Sequence, residues 1–474
     1  MKWNIEQLKL GETYSFNVVV DSHGTKFSGK LNLSPERCTL IVSGETSQDR
    51  HADFTIGNVD HLLCWDVRTT FILLNLKIIN YFGGMLDHHP KAIKAFEISY
   101  EIEYVICTHS HSNHNARFLG FELDSSLIAL WVGETKTQHE IISKFNSGIL
   151  FGNREAIPSE FEQNIDGLGS VVIGYAASMH FSTSEFSAGV RFPPKFTMMF
   201  DEYKTEIETI DLFNVLRDFL TVVIGRKISI QVIQLISAGS PVFRPTLYFS
   251  EPKFVSSENN YVMFPLGCNP VRNDFGLPEF PLTSINAYFN ATSEVRTYFK
   301  KYVKYRTLEN PEEQFLGYFR LLEKLTSQQD SFVDEGKLEL LLTRSESFVA
   351  RYFKNALATK DLFRRIRKAN KSKLNTASCI TRFMKELPTD LLVNLVLGKP
   401  DIVPICQFRN DLIHANRIEL DENDVQIRAK FIEVLLIFAL FKTIGIAPES
   451  LALIVPRMHG YDWIRNRPDS IITV

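Results

Sequence analysis

Between Pro252 and Pro281 the chain carries five prolines (252, 265, 270, 278 and 281), with Gly267 and Gly276 among them. Proline fixes φ and donates no backbone hydrogen bond, so neither a helix nor a central strand runs through such a stretch. The two sides of it obey different periods. Upstream, YSFNVVV, KLNLS, CTLIVSG, FEISYEIEYVIC and SVVIGYAAS alternate apolar with polar residues or string β-branched ones together between turn residues, the period-2 signature of strands. A helix interrupts them: in TIDLFNVLRDFLTVVIG, Leu212, Val215, Leu216, Phe219 and Val222 fall at helical spacing and Gly225 supplies the stop. Downstream the period is helical, in PEEQFLGYFRLLEKLTSQ, KLELLLTRSESFVARYFKNAL, DLFRRIRKANKS, ASCITRFMKEL, VPICQFRNDLIHAN and DVQIRAKFIEVLLIFALFKTIG. At 474 residues the chain exceeds a single core. The expectation is an α+β multidomain protein: a β-rich N-terminal region over 1–251 with a further break near 140–165, a proline-rich linker over 252–284, and an all-α bundle over 285–474.

With 45% hydrophobic and 23% charged residues the composition is that of a globular protein, and a net charge of -3 selects no class of partner. The opening MKWNIEQLKLGE lacks the apolar core of a signal peptide, and Glu433 and Lys442 interrupt the greasiest helix, FIEVLLIFALFKTIG. A cytoplasmic protein without a membrane partner is expected. Six cysteines are scattered with no C-x-x-C pair, which argues against a disulfide framework or zinc ribbon and for buried thiols.

Two clusters compete as chemical sites. In CTHSHSNH, His109, His111 and His114 follow a strand in an H-x-H-x-N-H pattern that differs by one residue from the H-x-H-x-D-H metal motif of the metallo-β-lactamase superfamily, but that residue, Asn113, offers an amide where the motif needs an anionic ligand. His139 and His180, the later histidines of this half, have no matching context. The cluster reads as a polar hairpin end, a metal-dependent hydrolase there is the minor alternative, and no metal or cofactor is expected. The second cluster is a charge block. From Arg344 to Lys385 twelve basic residues face two acids, Glu346 and Asp361, a local balance of +10 in an acidic remainder. Arg364, Arg365, Arg367, Lys368, Lys371 and Lys373 form its centre, and such a block is either a solvated helix face or a phosphate-backbone footprint.

Just downstream lies QFRNDLIHAN, residues 407–416. Pro404 suits a first helical turn, and Ile405, Phe408, Leu412 and Ala415 recur at helical spacing as one buried stripe. Arg409 and His414 flank it. Five helical steps set them roughly 140° apart, so one copy leaves them divergent and two copies about a two-fold axis let them line one cleft.

Arg409-Asn410-Asp411-Leu412-Ile413-His414 resembles the R-x-x-x-x-H motif of HEPN (higher eukaryote and prokaryote nucleotide-binding) domains, including the polar residue after the arginine. Those domains are short helical bundles with the motif in a late helix, here followed by one more long helix. A β-rich half joined to such a bundle is similar to the ApeA-type antiphage proteins of bacteria, with RFLGFELDSSLIALW and LFNVLRDFLTVVIG as the features of the N-terminal half.

The resemblance implies a metal-independent endoribonuclease of abortive-infection type, acting as a homodimer through the helical domain, with RNA as substrate and a phage-derived trigger at the N-terminal region. It implies that His414 acts as general acid or base at the ribose 2'-hydroxyl, that Arg409 steadies charge on the scissile phosphate, and that Asn410 orients one of them. The side chains suit this: imidazole as a type shuttles protons near neutrality, and guanidinium clamps two phosphate oxygens. Glu323 is a supporting candidate, because in FLGYFRLLEKLT it follows Phe319 by four and shares a face with apolar residues, where a carboxylate needs a partner such as Arg409. A non-catalytic HEPN-type dimerisation or RNA-binding module is the alternative.

Overall fold

The computed structural model describes residues 7–22, 24–47, 57–85, 93–108, 116–147, 159–175, 178–182, 187–237, 244–251, 262–266, 276–327, 333–370, 375–414 and 421–466. The chain divides into two compact units, Met1–Asn290 and Ala291–Val474. The first is β-rich and the second helical.

Six antiparallel strands open the first unit: β1 (Tyr14–Ser22), β2 (Thr25–Leu33), β3 (Cys38–Ser47), β4 (Val59–Trp65), β5 (Thr70–Met85) and β6 (Ile93–Thr108). They lie in the order β3-β2-β1-β4-β5-β6, and β3 pairs again with β6, from Cys38 opposite Ile102 to Ser47 opposite Ile93. The ring closes into a barrel, which removes the free edges an open sheet would present. Its interior takes one residue in two from each strand, including Val18, Val20, Leu31, Leu33, Leu40, Val42, Ile98, Tyr100 and Ile102.

Beyond β6 the sheet continues outward through β14 (Thr246–Tyr248), β13 (Val232–Ser237), β7 (Phe118–Asp124), β12 (Pro194–Lys204), β9 (Gly169–Tyr175) and β8 (Ser159–Ile165), with a separate hairpin of β10 (Ser178–Ser182) and β11 (Ser187–Arg191). Helices α1 (Ser126–Val132) and α2 (Lys136–Asn146) follow β7. The interrupting helix expected from the sequence is α3 (Glu206–Ile224). A Thr205/Glu208 capping box starts it, Gly225 at φ 79° ends it, and Phe213 packs edge-on against Phe121 of β7.

The division between the two units falls at Asn290–Ala291. The break placed near 140–165 is bridged, because Thr135 at the cap of α2 donates to Glu160 of β8 (2.9 Å) and bonds the Tyr175 hydroxyl of β9 (2.7 Å). The described part of the proline-rich stretch is packed rather than a free linker. Met263, Phe264 and Leu266 are buried; the Met263 N–H donates to Ile224 O, Trp131 Nε1 to Phe264 O, and the Leu266 N–H to Trp131 O. Prolines forbid regular structure there, but Trp131 and the end of α3 satisfy the irregular backbone and so allow it to be buried. The next helix, α4 (Thr283–Phe289), also belongs to the first unit, with the Tyr288 ring 4.9 Å from Phe219.

Among the described residues, the α-helices of the second unit are α5 (Ser293–Arg306), α6 (Pro311–Thr326), α7 (Glu335–Tyr352), α8 (Ala356–Asn370), α9 (Thr376–Met384), α10 (Thr389–Val393), α11 (Ile402–Ile413), α12 (Glu422–Lys442) and α13 (Pro448–Ile454). Its axis is α12, where every side chain from Val434 to Phe441 is buried, as a helix apolar on all sides must be. It packs mainly on α6, and α5 reaches α6 closely at Gly317, where a Cβ would stand 2.5 Å from the Tyr305 ring. The buried Glu433 of α12 accepts from the Tyr302 hydroxyl (2.8 Å) and is ion-paired with Lys430. The continuous helical pattern over 337–357 is in fact two helices, broken at 353–355. Among the described residues no helix is long and apolar enough to cross a membrane.

Candidate functional site

The R-x-x-x-x-H segment lies on α11. Pro404 falls in its first turn, where no intrahelical N–H is needed, and Ile405 and Phe408 are buried, Phe408 edge-on to Phe315 of α6 at 5.1 Å. The stripe then fades. Leu412 is half-buried rather than core, and Ala415 lies outside the described residues.

Arg409 leaves the helix toward α6. Its Nη2 donates to Glu323 Oε2 at 3.3 Å, its Nη1 to Asn410 Oδ1 at 3.0 Å, and the guanidinium sits 5.6 Å from the Phe319 ring centroid. Phe319 and Glu323 are one turn apart on α6, so the arginine meets an aromatic face and a carboxylate along one helix edge. The other carboxylate oxygen, Glu323 Oε1, accepts from Thr376 Oγ1 at 2.6 Å, at the start of α9. Three helices thus converge on one carboxylate. Arg409 Nε is buried and has no hydrogen-bond partner among the described residues, which leaves one donor of a charged group unsatisfied. The side chains of Arg409 and Glu323 are 27% and 35% exposed.

His414 is placed differently. It is the C-cap of α11 at φ -86°, its backbone N–H donates to Asn410 O at 3.0 Å, and the residue is exposed. Among the described residues no hydrogen bond joins it to Arg409. Asn410 is exposed too, so the motif presents one half-buried, anchored cation and two exposed polar side chains over its last two turns. One turn before Asn410, Cys406 has its thiol pushed up to about 11, by burial first and then by the Glu323 charge, with Arg409 opposing. It therefore stays protonated at neutral pH and is no nucleophile.

The basic residues occupy α8. Arg365 and Lys368 are exposed with no acid partner among the described residues, whereas Arg364 pairs with Asp361 (2.8 Å) and Arg367 holds Glu339 bidentately (2.7 and 2.9 Å). Glu339 precedes the block in sequence. The antiparallel packing of α7 and α8 brings it opposite Arg367, so the local excess of charge is smaller than a sequence window indicates. Lys371 and Lys373 lie outside the described residues, as do His109, His111 and His114. Among the described residues no group of three or more His, Cys, Asp or Glu side chains is arranged to hold a metal.

Thr376 and Phe319 complete the surroundings of Arg409 but carry no sequence signal of their own. Thr376 stands 53 residues from Glu323, on another helix. The i,i+4 relation of Phe319 to Glu323 marked the face without revealing what covers it. No family model, no curated protein and no solved structure matches the chain.

Proposed function

We propose that the second unit is a HEPN-type, metal-independent endoribonuclease of antiphage defence, with Arg409, Asn410 and His414 as catalytic residues and Glu323 as the residue that positions Arg409. The observation that carries this reading is the anchoring of Arg409. A guanidinium fixed by a carboxylate on one side, with an exposed amide as its exchangeable contact on the other, is a preorganised oxyanion clamp. A phosphate oxygen replaces the Asn410 amide at Nη1 while Glu323 keeps hold of Nη2.

His414 removes the proton of a ribose 2'-hydroxyl, the 2'-oxygen attacks the adjacent phosphorus, and the 5'-oxygen leaves with a proton supplied by an imidazolium. The products are a 2',3'-cyclic phosphate and a 5'-hydroxyl, with no metal in the proton balance. Arg409 and His414 diverge on one helix, and a second copy across a two-fold axis supplies the missing acid and completes the cleft. The β-rich first unit serves as the sensing or restraining half, responding to a phage-derived trigger, and the protein acts in the cytoplasm.

A second reading has its own observation. Arg409 is already neutralised by Glu323 and packed on Phe319, which is also what an arginine that ties α11 to α6 would do in a non-catalytic module. Incubation of the purified protein with total cellular RNA in EDTA separates the two. Cleavage by wild type that disappears in His414→Ala supports the ribonuclease. Intact RNA in both selects the module, and cleavage that requires added divalent metal contradicts both.

A further inference from the structure

The hairpin of α7 and α8 ends in an aromatic tip that no described residue of the second unit covers. Phe348, Tyr352 and Phe353 are 66%, 73% and 65% exposed. Phe348 and Tyr352 lie one turn apart with their rings near parallel, 6.3 Å between centroids at 23°, and Phe353 stands edge-on to Tyr352 at 5.2 Å. Cations are interleaved with the rings. Arg344 extends the i,i+4 row of Phe348 and Tyr352, and Arg351 and Lys354 flank the last turn, all exposed and without an acid partner among the described residues.

Lys354 adds an independent observation. It adopts φ 48°, its N–H donates to Arg351 O (3.3 Å) and the Asn355 N–H to Ala350 O (3.2 Å), the paired bonds of a helix end that glycine normally closes. A side chain is held there against its backbone preference, and that side chain is a cation at the apex of the hairpin.

We infer that this tip binds single-stranded nucleic acid, stacking bases on Phe348 and Tyr352 and contacting the backbone through Arg344, Arg351 and Lys354. Rings with tolerant π-faces beside cations are the composition of a single-strand platform. Lysine is depleted at protein interfaces, so the exposed Lys354 at the apex of the rings favours a polyanion over a protein partner. The inference deepens the ribonuclease reading by giving its substrate a strand state and a landing surface, and it rests on that reading only for the statement that the bound strand is RNA.

The test uses the full chain and a fluorescein-labelled 2'-O-methyl oligouridylate, which is single-stranded and lacks the hydroxyl needed for cleavage, read by fluorescence anisotropy. Tyr352→Ala and Phe348→Ala each weaken binding about tenfold with unchanged melting temperature, and Tyr352→Phe restores it. Lys354→Gly lowers the salt slope by about 0.7 without loss of stability. The inference is overturned if wild type leaves the probe free at low salt, if the alanine variants bind it undiminished, or if light scattering shows that those variants change only the mass of the particle, which would make the tip a self-association surface. Tip-dependent binding without RNA cleavage in EDTA removes the ribonuclease reading alone, and cleavage without tip-dependent binding removes the tip alone.

Discussion

Arg409 and Glu323 meet at 3.3 Å across α11 and α6, and the same carboxylate takes the Thr376 hydroxyl of α9 on its other oxygen. The pair is partly exposed, so its worth to stability is small, about 0–1 kcal/mol. Its worth to geometry is larger, because a guanidinium released from Glu323 has several rotamers and the clamped one has a single direction.

Glu323→Gln is therefore expected to leave the melting temperature within a few degrees of wild type while slowing RNA cleavage about 10- to 100-fold through misplacement of the arginine. Single-turnover cleavage beside a thermal melt measures both. A large loss of stability with unchanged cleavage would make Glu323 a structural anchor only.

His414 caps α11 from an exposed position, so His414→Ala should change stability by no more than about 0.5 kcal/mol. Cleavage should fall about 100-fold or more, and the same loss is expected for Arg409→Ala. Urea denaturation and initial rates on one RNA decide it. A His414→Ala protein that cuts as fast as wild type ends the catalytic assignment.

Stability within α11 should follow burial rather than the helical stripe. Phe408→Ala, which empties a core position against Phe315, is expected to cost about 3–5 kcal/mol, whereas Leu412→Ala at a half-buried position should cost less than about 2 kcal/mol. Chemical denaturation of the two variants ranks them, and equal losses would mean that α11 continues its core contact to the end of the motif.

Helical spacing predicted a stripe through Leu412 because periodicity reports which side of a helix faces inward and is silent on how far along its length the neighbour extends. The same limit explains the other differences. Runs such as YSFNVVV and CTLIVSG announced β1 and β3, but the pairing of β3 with β6 that closes the barrel joins residues about half a hundred positions apart and leaves no local trace. The proline-rich stretch advertised irregular backbone, yet its burial depends on Trp131, far upstream. At the site, the partnership of Glu323 with an arginine was legible from a carboxylate on an apolar face. The Thr376 contact and the Glu339 partner of Arg367 were not, since each is created by the packing of two helices.

That packing changes what the basic block can do. Arg364 and Arg367 spend their charge on Asp361 and Glu339, while Arg365 and Lys368 remain unpaired among the described residues. In oligonucleotide titrations across salt, neutralising Arg365 and Lys368 should lower the slope by about 0.7 per contacting residue, more than neutralising Arg364 and Arg367. Equal or absent slope changes would return α8 to a solvated face.

The sharpest pH response should come from Glu433. Burial raises its carboxyl pKa, but Lys430 and Arg306, with the hydrogen bonds from Lys430 and Tyr302, outweigh that and hold it below the ordinary carboxylate value. A depressed folded-state pKa means that the group contributes stability above its unfolded value of about 4.3 and loses it as pH falls through the lower folded value. Glu433→Gln leaves the half-buried Lys430 without its counter-charge, a loss of up to about 3 kcal/mol at neutral pH. As pH falls below the unfolded value the unfolded chain takes up the proton while native Glu433 still resists it, so wild type loses stability that Glu433→Gln never had and the gap between the two proteins should narrow. Urea-derived stabilities of both proteins from pH 7 to pH 3 test this directly, and curves that run parallel throughout would show that Glu433 does not carry the charge assigned to it.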